Sequence, residues 1–354
     1  MIGIMQKIRV TWCNWSILLF VLVYLVFCPG RALAADGQME IYTDYYVING
    51  QGYAHYLSFS DKKEAAYAAA LNNFAAQLPE DIQLYSLLAP TSAAYGVAPD
   101  YTCYFPNQQK LIARVQTQLD ERFQHINIYD TLAAHSDEYL YFRTDHHWTA
   151  RAGYLAYLEL AKKLGLSPVD LQNYPLQDSG VDYLGSIYAA TESDSLAVNP
   201  DRIYYYQLPA EVTYTYWNNN GQPFISKGLY KDWWLTQGNK YAFFMGGDLP
   251  YIKLQTQAGT GRRLAIIKDS YANTIIPFLT AHYDEIYVID PRNSNFNALE
   301  IIEDNALKEV LFVNYTRVVC LPEFSQALLD LTTRRPTVIQ PVVAQTSISP
   351  STSK

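Results

Sequence analysis

Cysteine and histidine are scarce in this chain: 354 residues contain four of one and six of the other. No cluster of four ligands at zinc-module spacing can be assembled from them, which sets structural zinc domains aside. Cys13 and Cys28 belong to the N-terminal segment, so only Cys103 and Cys320 remain for the rest of the chain. They are compatible with one disulfide outside the cell or with two buried thiols. Basic residues are also in deficit: 26 Lys and Arg stand against 34 Asp and Glu, a formal charge of -8. An acidic protein is poorly matched to nucleic acid or to an anionic membrane surface.

The one long apolar run is ILLFVLVYLVFC at 17–28, preceded by Lys7 and Arg9 and followed by Pro29, Gly30 and Ala32-Leu33-Ala34. A basic start, a short apolar stretch and small residues at a cleavage position predict a secretory signal over 1–34. The run is shorter than the ~20 residues of a spanning helix. An uncleaved N-terminal anchor is the alternative. Removal of 1–34 takes away Lys7, Arg9 and Arg31 and no acidic residue, which moves the formal charge from -8 to -11.

Tyrosine is the residue in excess, with 31 copies. A polar-tipped substitute for phenylalanine in β structure explains such a count. A surface that stacks on sugars is the functional alternative, and composition favours the first.

Along the chain, an alanine-rich pattern predicts a helix over 62–78, stopped at Pro79, and an apolar run predicts a buried strand over 82–88. A second helix is expected over 108–123, a short strand over 126–132, and a third helix over 149–164 closed by Gly165. This alternation predicts an α/β fold with a parallel sheet. From about 167 to 248 short β-like pieces and turn signals indicate a β-rich insertion, with a hairpin turn at 218–221. The α/β pattern then resumes: a strand at 264–267, a tight turn, a helix to about 281, and strands at 285–289 and 307–315. From about 333 the chain is Ser/Thr/Pro-rich and predicted to be disordered. The organisation read from these signals is a leader at 1–34, one α/β domain at 35–332 carrying the insertion, and a tail at 333–354.

Two stretches carry chemistry. In TDHHWTARAGY, Asp145 and His147 stand two apart, so in an extended segment they face the same side. A carboxylate beside imidazole fixes the tautomer that accepts a proton and stabilises the imidazolium that forms. His146 is expected on the other face. Metal binding by the adjacent histidines is disfavoured, because adjacent side chains diverge. In LAIIKDSYANTIIPF, Ser270 follows an apolar strand and precedes a helix. Such a serine projects above the carboxyl edge of a parallel sheet, with its own amide and the helix start facing a developing oxyanion. Taken alone, Asp269-Ser270 reads equally as a helix N-cap.

DHHWTARAGY resembles the signature of the DHHW family, which is grouped with SGNH-hydrolase-like proteins that modify bacterial exopolysaccharides, among them the alginate O-acetylation proteins with an Asp-x-His-Trp motif. YLGSIY at 183–188, YAFFMGGD at 241–248 and IIKDSYANTIIPF follow in the expected order. The resemblance implies an SGNH-hydrolase-like (flavodoxin-like) parallel sheet flanked by helices and a Ser-His-Asp triad in permuted order. Ser270 would be nucleophile, His147 general base and Asp145 its orienter. It implies an oxyanion hole from the amides of Ser270 and of Gly246 or Gly247, with Asp248 where the family of SGNH hydrolases has asparagine. Trp148, Arg292 and Asp248 are the candidates for substrate contact, with packing an equal alternative for Trp148 and a structural salt bridge the favoured role of Arg292. The implied activity is O-acetyl transfer to an exopolysaccharide or cell-surface glycan through an acetyl-serine. Acetylester hydrolysis and a non-catalytic glycan-binding scaffold are the alternatives. Neither a metal nor a cofactor is called for, and a membrane-bound protein delivering acetyl groups is the expected partner.

Overall fold

A computed structural model describes residues 39–56, 59–207, 211–335 and 338–340 of the chain. The leader predicted over 1–34 lies outside the described residues, as does most of the predicted tail. Of that tail, Gln340 exchanges hydrogen bonds with the 217–222 hairpin: its N–H donates to the Gly221 carbonyl and its own carbonyl accepts from the Trp217 indole. Among the described residues no helix is long and apolar enough to cross a membrane.

The described residues begin with a three-stranded antiparallel meander, β1 (Met39–Ile41), β2 (Tyr45–Ile48) and β3 (Gln51–Ala54). The central sheet has eight strands: β4 (Gln83–Ala89), β5 (Phe123–Ile126), β8 (Thr213–Trp217), β9 (Pro223–Lys227), β10 (Tyr251–Gln255), β11 (Arg263–Lys268), β12 (Glu285–Ile289) and β13 (Glu309–Tyr315). Between them β6 (Leu176–Tyr183) and β7 (Asp201–Tyr206) pair as a separate ribbon. The central order is β5-β4-β13-β11-β12-β10-β8-β9. The first five strands are parallel, and β10, β8 and β9 extend the sheet antiparallel.

Helices of seven residues or more are α1 (Asp61–Ala76), α2 (Gln108–Gln116), α3 (Ala150–Lys163), α4 (Ala298–Asp304) and α5 (Pro322–Asp330). Helical crossovers are what parallel neighbours require. The strands β11, β12 and β13 are buried almost end to end, as the unbroken runs LAII, IYVI and VLFV dictate for a sheet covered on both faces. β9, on the open edge, runs Phe224 and Ile225 followed by Ser226 and Lys227 and is largely exposed.

The resumed strands are where the sequence placed them, but the helix expected to about 281 is a 3-10 turn over Ser270–Thr274 and a single α-turn over Ile276–Leu279, and three other expectations differ. The helix expected over 108–123 stops at Gln116, and Phe123 opens β5. A side-chain-bonded turn competes with the helix there: the Asp120 amide donates to Asn72 Oδ1, and Asp120 Oδ1 accepts from the Arg122 amide. The strand expected over 126–132 ends at Ile126, and Tyr129–Ala134 is helical. Of the β-rich stretch at 167–248, β8 and β9 join the central sheet through β10 instead of forming a sheet of their own. Cys103 and Cys320 are not joined to each other; Cys320 is a buried thiol whose pKa burial pushes up to about 11.

Candidate active site

Residues 142–147 form a tight loop pinned at its base. Tyr141 and Trp148 face each other across an isolated β-bridge, and the Phe142 amide donates to the His147 carbonyl at 3.2 Å. A buried carboxylate, Asp201, holds the rising limb. It accepts from the amides of Arg143 and Thr144, from Thr144 Oγ1 at 2.6 Å and from the Tyr139 hydroxyl at 2.5 Å. The segment is therefore a bend and not an extended strand. Asp145 and His147 still meet, because Asp145 Oδ1 accepts from the His147 amide at 2.8 Å and draws the imidazole onto the same oxygen.

The second limb comes from β11. Asp269 caps the following 3-10 turn, Ser270–Thr274, its Oδ1 accepting from the Tyr271 amide at 2.9 Å. Its other oxygen accepts from the Tyr315 amide at the end of β13. Ser270 thus stands at the carboxyl edge, where β11 and β13 are neighbours. The N-cap reading holds for Asp269, which leaves the Ser270 side chain uncommitted to the backbone and facing His147.

The two limbs meet in a line. His147 Nε2 lies 2.7 Å from Ser270 Oγ, and His147 Nδ1 lies 2.5 Å from Asp145 Oδ1. Asp145 Oδ2 accepts from the Tyr183 hydroxyl at 2.6 Å and from the Ser186 amide at 2.7 Å. Burial by itself pushes the Asp145 carboxyl up. The flanking His147 and His146 rings and these hydrogen bonds outweigh it and hold the group well below the usual carboxylate range. An ionised Asp145 accepts a hydrogen bond from the Nδ1–H of His147, which keeps the proton on Nδ1 and leaves Nε2 to accept from the serine hydroxyl. Tyr241 lies flat on the imidazole, ring centroids 3.6 Å apart and 5° from parallel, and its hydroxyl donates to the Ser270 carbonyl. One tyrosine thereby registers His147 and Ser270 together.

Each remaining candidate has a definite place. His146 does not diverge from His147: the bend brings the rings to 3.8 Å, and His146 Nδ1 sits 2.6 Å from Ser186 Oγ. Burial and the neighbouring His147 lower its pKa to about 3, so it is neutral at ordinary pH. Ligand atoms of Asp145, His146 and His147 fall within 4.8 Å of one another, a spacing open to a metal ion. The three are nevertheless engaged with one another, with Ser186 and with Ser270. Trp148 is fully buried, its indole N–H donating to the Tyr271 carbonyl at 2.9 Å, so it fixes the Ser270 turn and offers no face to a substrate. Gly247 is not an oxyanion donor, since its N–H closes a turn onto the Phe244 carbonyl. Gly246 and Gly247 both have positive φ, 76° and 89°, and follow Met245 at 63° in a left-handed corner.

Asp248 is not a donor either. Lys268 Nζ stands 2.7 Å from it and Arg292 Nη2 2.9 Å from it. Burial raises its pKa, but these two cations override that and hold it far below the usual range. Arg292 also grips Asp290 in a bidentate pair. It is a member of a charge cluster with Lys268, Asp248 and Asp290, with about a third of its side chain exposed.

Sequence reasoning named neither Tyr241 nor the three groups around Asp145. Tyr183, Gly185 and Ser186 were present within YLGSIY, and Gly185 has a plain signal: a Cβ there would lie 2.3 Å from Asp145 Cβ.

Comparison with known proteins follows this geometry. A solved DHHW family protein from Eubacterium siraeum is 26% identical, with 85% of this chain and 98% of that one aligned and a TM-score of 0.75. Bacillus cereus PatB1, solved with a sulfonyl adduct, is 18% identical over 80% of this chain and 97% of its own, with a TM-score of 0.59. No curated protein matches. The model of the family described as DHHW protein matches residues 31–289, and the chain belongs to the DHHW family.

Proposed function

We propose that this protein is a serine-dependent acetyl-ester enzyme, an O-acetyltransferase that modifies an extracytoplasmic polysaccharide. The observation that carries the reading is the unbroken hydrogen-bonded line from Asp145 through His147 to Ser270. Serine at its free pKa is a weak nucleophile, and a positioned imidazole removes its proton as it attacks.

In the first half-reaction Ser270 Oγ attacks the acetyl carbonyl and its proton passes to His147 Nε2. The tetrahedral oxyanion faces the amide of Ser270, which opens the 3-10 turn, where the leading N–H groups lack a partner within the turn. Collapse returns the proton from His147 to the departing oxygen and leaves acetyl-Ser270. In the second, a sugar hydroxyl gives its proton to His147 and attacks the acetyl group, and Ser270 leaves as the hydroxyl. Water in that role gives an esterase.

An SGNH-hydrolase-like assignment has support in the strand order. Numbered from β11, the parallel strands β12-β11-β13-β4-β5 read 2-1-3-4-5, the flavodoxin-like order, with its switch point between β11 and β13 beside Ser270. The acetyl donor expected in this reading is a membrane-bound partner, and the predicted leader would export the chain to meet it.

The test follows acetate released from a small activated acetyl ester, with and without added oligosaccharide, for wild type and Ser270→Ala. Transfer to sugar in preference to water, abolished in the variant, supports the transferase. Release to water alone would make it an esterase, and equal turnover by the variant would remove Ser270 from the mechanism.

A further inference from the structure

A concave site lies next to the loop that carries Asp145 and His147, with Arg143 of that loop in its wall. It is a cleft of about 370 Å³, walled by β2 and β3, by residues 92–98 and by 136–143. Its volume is near the small end of the range for ligand pockets, about 300–1,000 Å³. None of its lining residues contributes to the Asp145–His147–Ser270 line.

Four tyrosines line it, and all four hydroxyls are spent internally. Tyr53 donates to the Gly96 carbonyl, Tyr95 to that of Tyr129, Tyr141 to that of Pro90, and Tyr139 to Asp201. Tyr53 is buried, so what the cleft can use is the ring surface of Tyr95, Tyr139 and Tyr141, held in place as stacking on the apolar face of a sugar requires. The polar part of the wall includes Arg143, whose Nε is buried without a hydrogen-bond partner among the described residues. Its Nη2 donates to the Pro200 carbonyl, and about a third of the side chain is exposed, so the guanidinium has further N–H groups for an acceptor such as a sugar hydroxyl.

The charges of the wall are already compensated. Arg143 faces the buried Asp201 at 3.4 Å, and Glu138 pairs with Arg151 at 2.5 Å and with His135 at 2.7 Å. Nothing is left over to draw a carboxylate in. The same Asp201 that clamps Arg143 and Tyr139 also clamps Thr144, next to Asp145, so cleft and reacting serine are held in one fixed relation.

We propose that this tyrosine-walled cleft is a secondary subsite for an uncharged or N-acetylated sugar unit of the polysaccharide, holding the chain while a different unit is presented to Ser270. The proposal rests on the glycan-modifying reading above. Its test separates the two. Ser136 is exposed on the rim, and Ser136→Trp fills the cleft without touching the triad.

Binding of neutral-hexose, N-acetylhexosamine and uronate hexasaccharides is measured by calorimetry on the Ser270→Ala protein, with and without the Ser136→Trp change. Turnover of a small acetyl ester is measured on the Ser136→Trp protein with Ser270 intact. The expected result is binding of the neutral or N-acetylated oligosaccharide, weakened at least tenfold by Ser136→Trp, weaker binding of the uronate, and unchanged turnover of the small ester. Tyr95→Ala, checked for a cooperative unfolding transition, should weaken binding in the same direction. No binding by any oligosaccharide, binding indifferent to both substitutions, or a preference for the uronate would overturn the subsite. Loss of small-ester turnover in Ser270→Ala would still stand as separate support for the catalytic reading.

Discussion

Around the triad the tolerances are set by single atoms. Gly185 packs against the Asp145 side chain so closely that an added Cβ would sit 2.3 Å from Asp145 Cβ and 2.6 Å from Oδ2. Gly185→Ala must displace Asp145, and with it the imidazole. The expected outcome is a loss of turnover of about 10²-fold, the scale of a misplacement of roughly 1 Å, with overpacking costing about 1–3 kcal/mol; steady-state kinetics and chemical denaturation read both. Asp269 supplies a pH signature. Burial raises its carboxyl to about 6, against two amide hydrogen bonds and Arg292 that pull it down. A group whose pKa rises on folding favours the fold below its unfolded value, near 4, and that contribution is lost as pH climbs through about 6. Relative to Asp269→Asn, wild type should therefore lose up to about 3 kcal/mol of unfolding free energy between pH 4 and pH 7. Parallel pH profiles for the two proteins would show that Asp269 does not carry the shift.

At the level of elements, the end of β11, the loop between β12 and α4 and the corner at 245–248 are tied by charge. Lys268, the last residue of β11, is fully buried between Asp248 and Asp290, with Arg292 closing the cluster. Taking away the lysine leaves two carboxylates to share the one guanidinium of Arg292, and breaking a buried ion pair outright costs about 3–5 kcal/mol. Lys268→Met should lower stability by about 3 kcal/mol, and a midpoint unchanged in urea would contradict the cluster's structural role. This scale also divides what the sequence made legible from what it did not. Asp145 and His147 are near neighbours, and Ser270 follows a strand of unbroken apolar residues, so local pattern reached all three. The side of His146 was misread because alternation assumes an extended strand, whereas Asp201 and the Asp145 side chain bend 143–147. Trp148 looked available for substrate because a motif tryptophan has no marker of burial; its partner, the Tyr271 carbonyl, lies on a distant segment. Gly246 and Gly247 were assigned through the resemblance, but Gly247 spends its amide on Phe244. Tyr241 was invisible for the same reason as Trp148: only tertiary structure lays it on His147.

For the whole molecule, an α/β sheet with parallel strands could be expected from the alternation of apolar runs and helical periods, and the central sheet has that form. Its strand order could not, since hydrophobic period says which segments are strands and nothing about which are neighbours. That order sets Ser270 at the junction of β11 and β13 and brings the 142–147 loop over it from a part of the chain far upstream. The overall charge of -8 gives a further consequence. A polyanionic glycan approaches against the field of the protein and a neutral one does not, so added salt should speed association of a uronate polymer and leave a neutral polymer unaffected. Stopped-flow binding across an ionic-strength series reads this directly, and a neutral polymer equally sensitive to salt would contradict it.

The central claim is that Ser270 carries the acetyl group between donor and acceptor. Intact-mass analysis, followed by peptide mapping, of protein incubated briefly with an activated acetyl ester tests it most directly. The account predicts a gain of one acetyl group located on Ser270, absent from Ser270→Ala and discharged when an acceptor glycan is added. A folded wild-type protein that turns the ester over while the acetyl group appears on another residue, or on none, would contradict it.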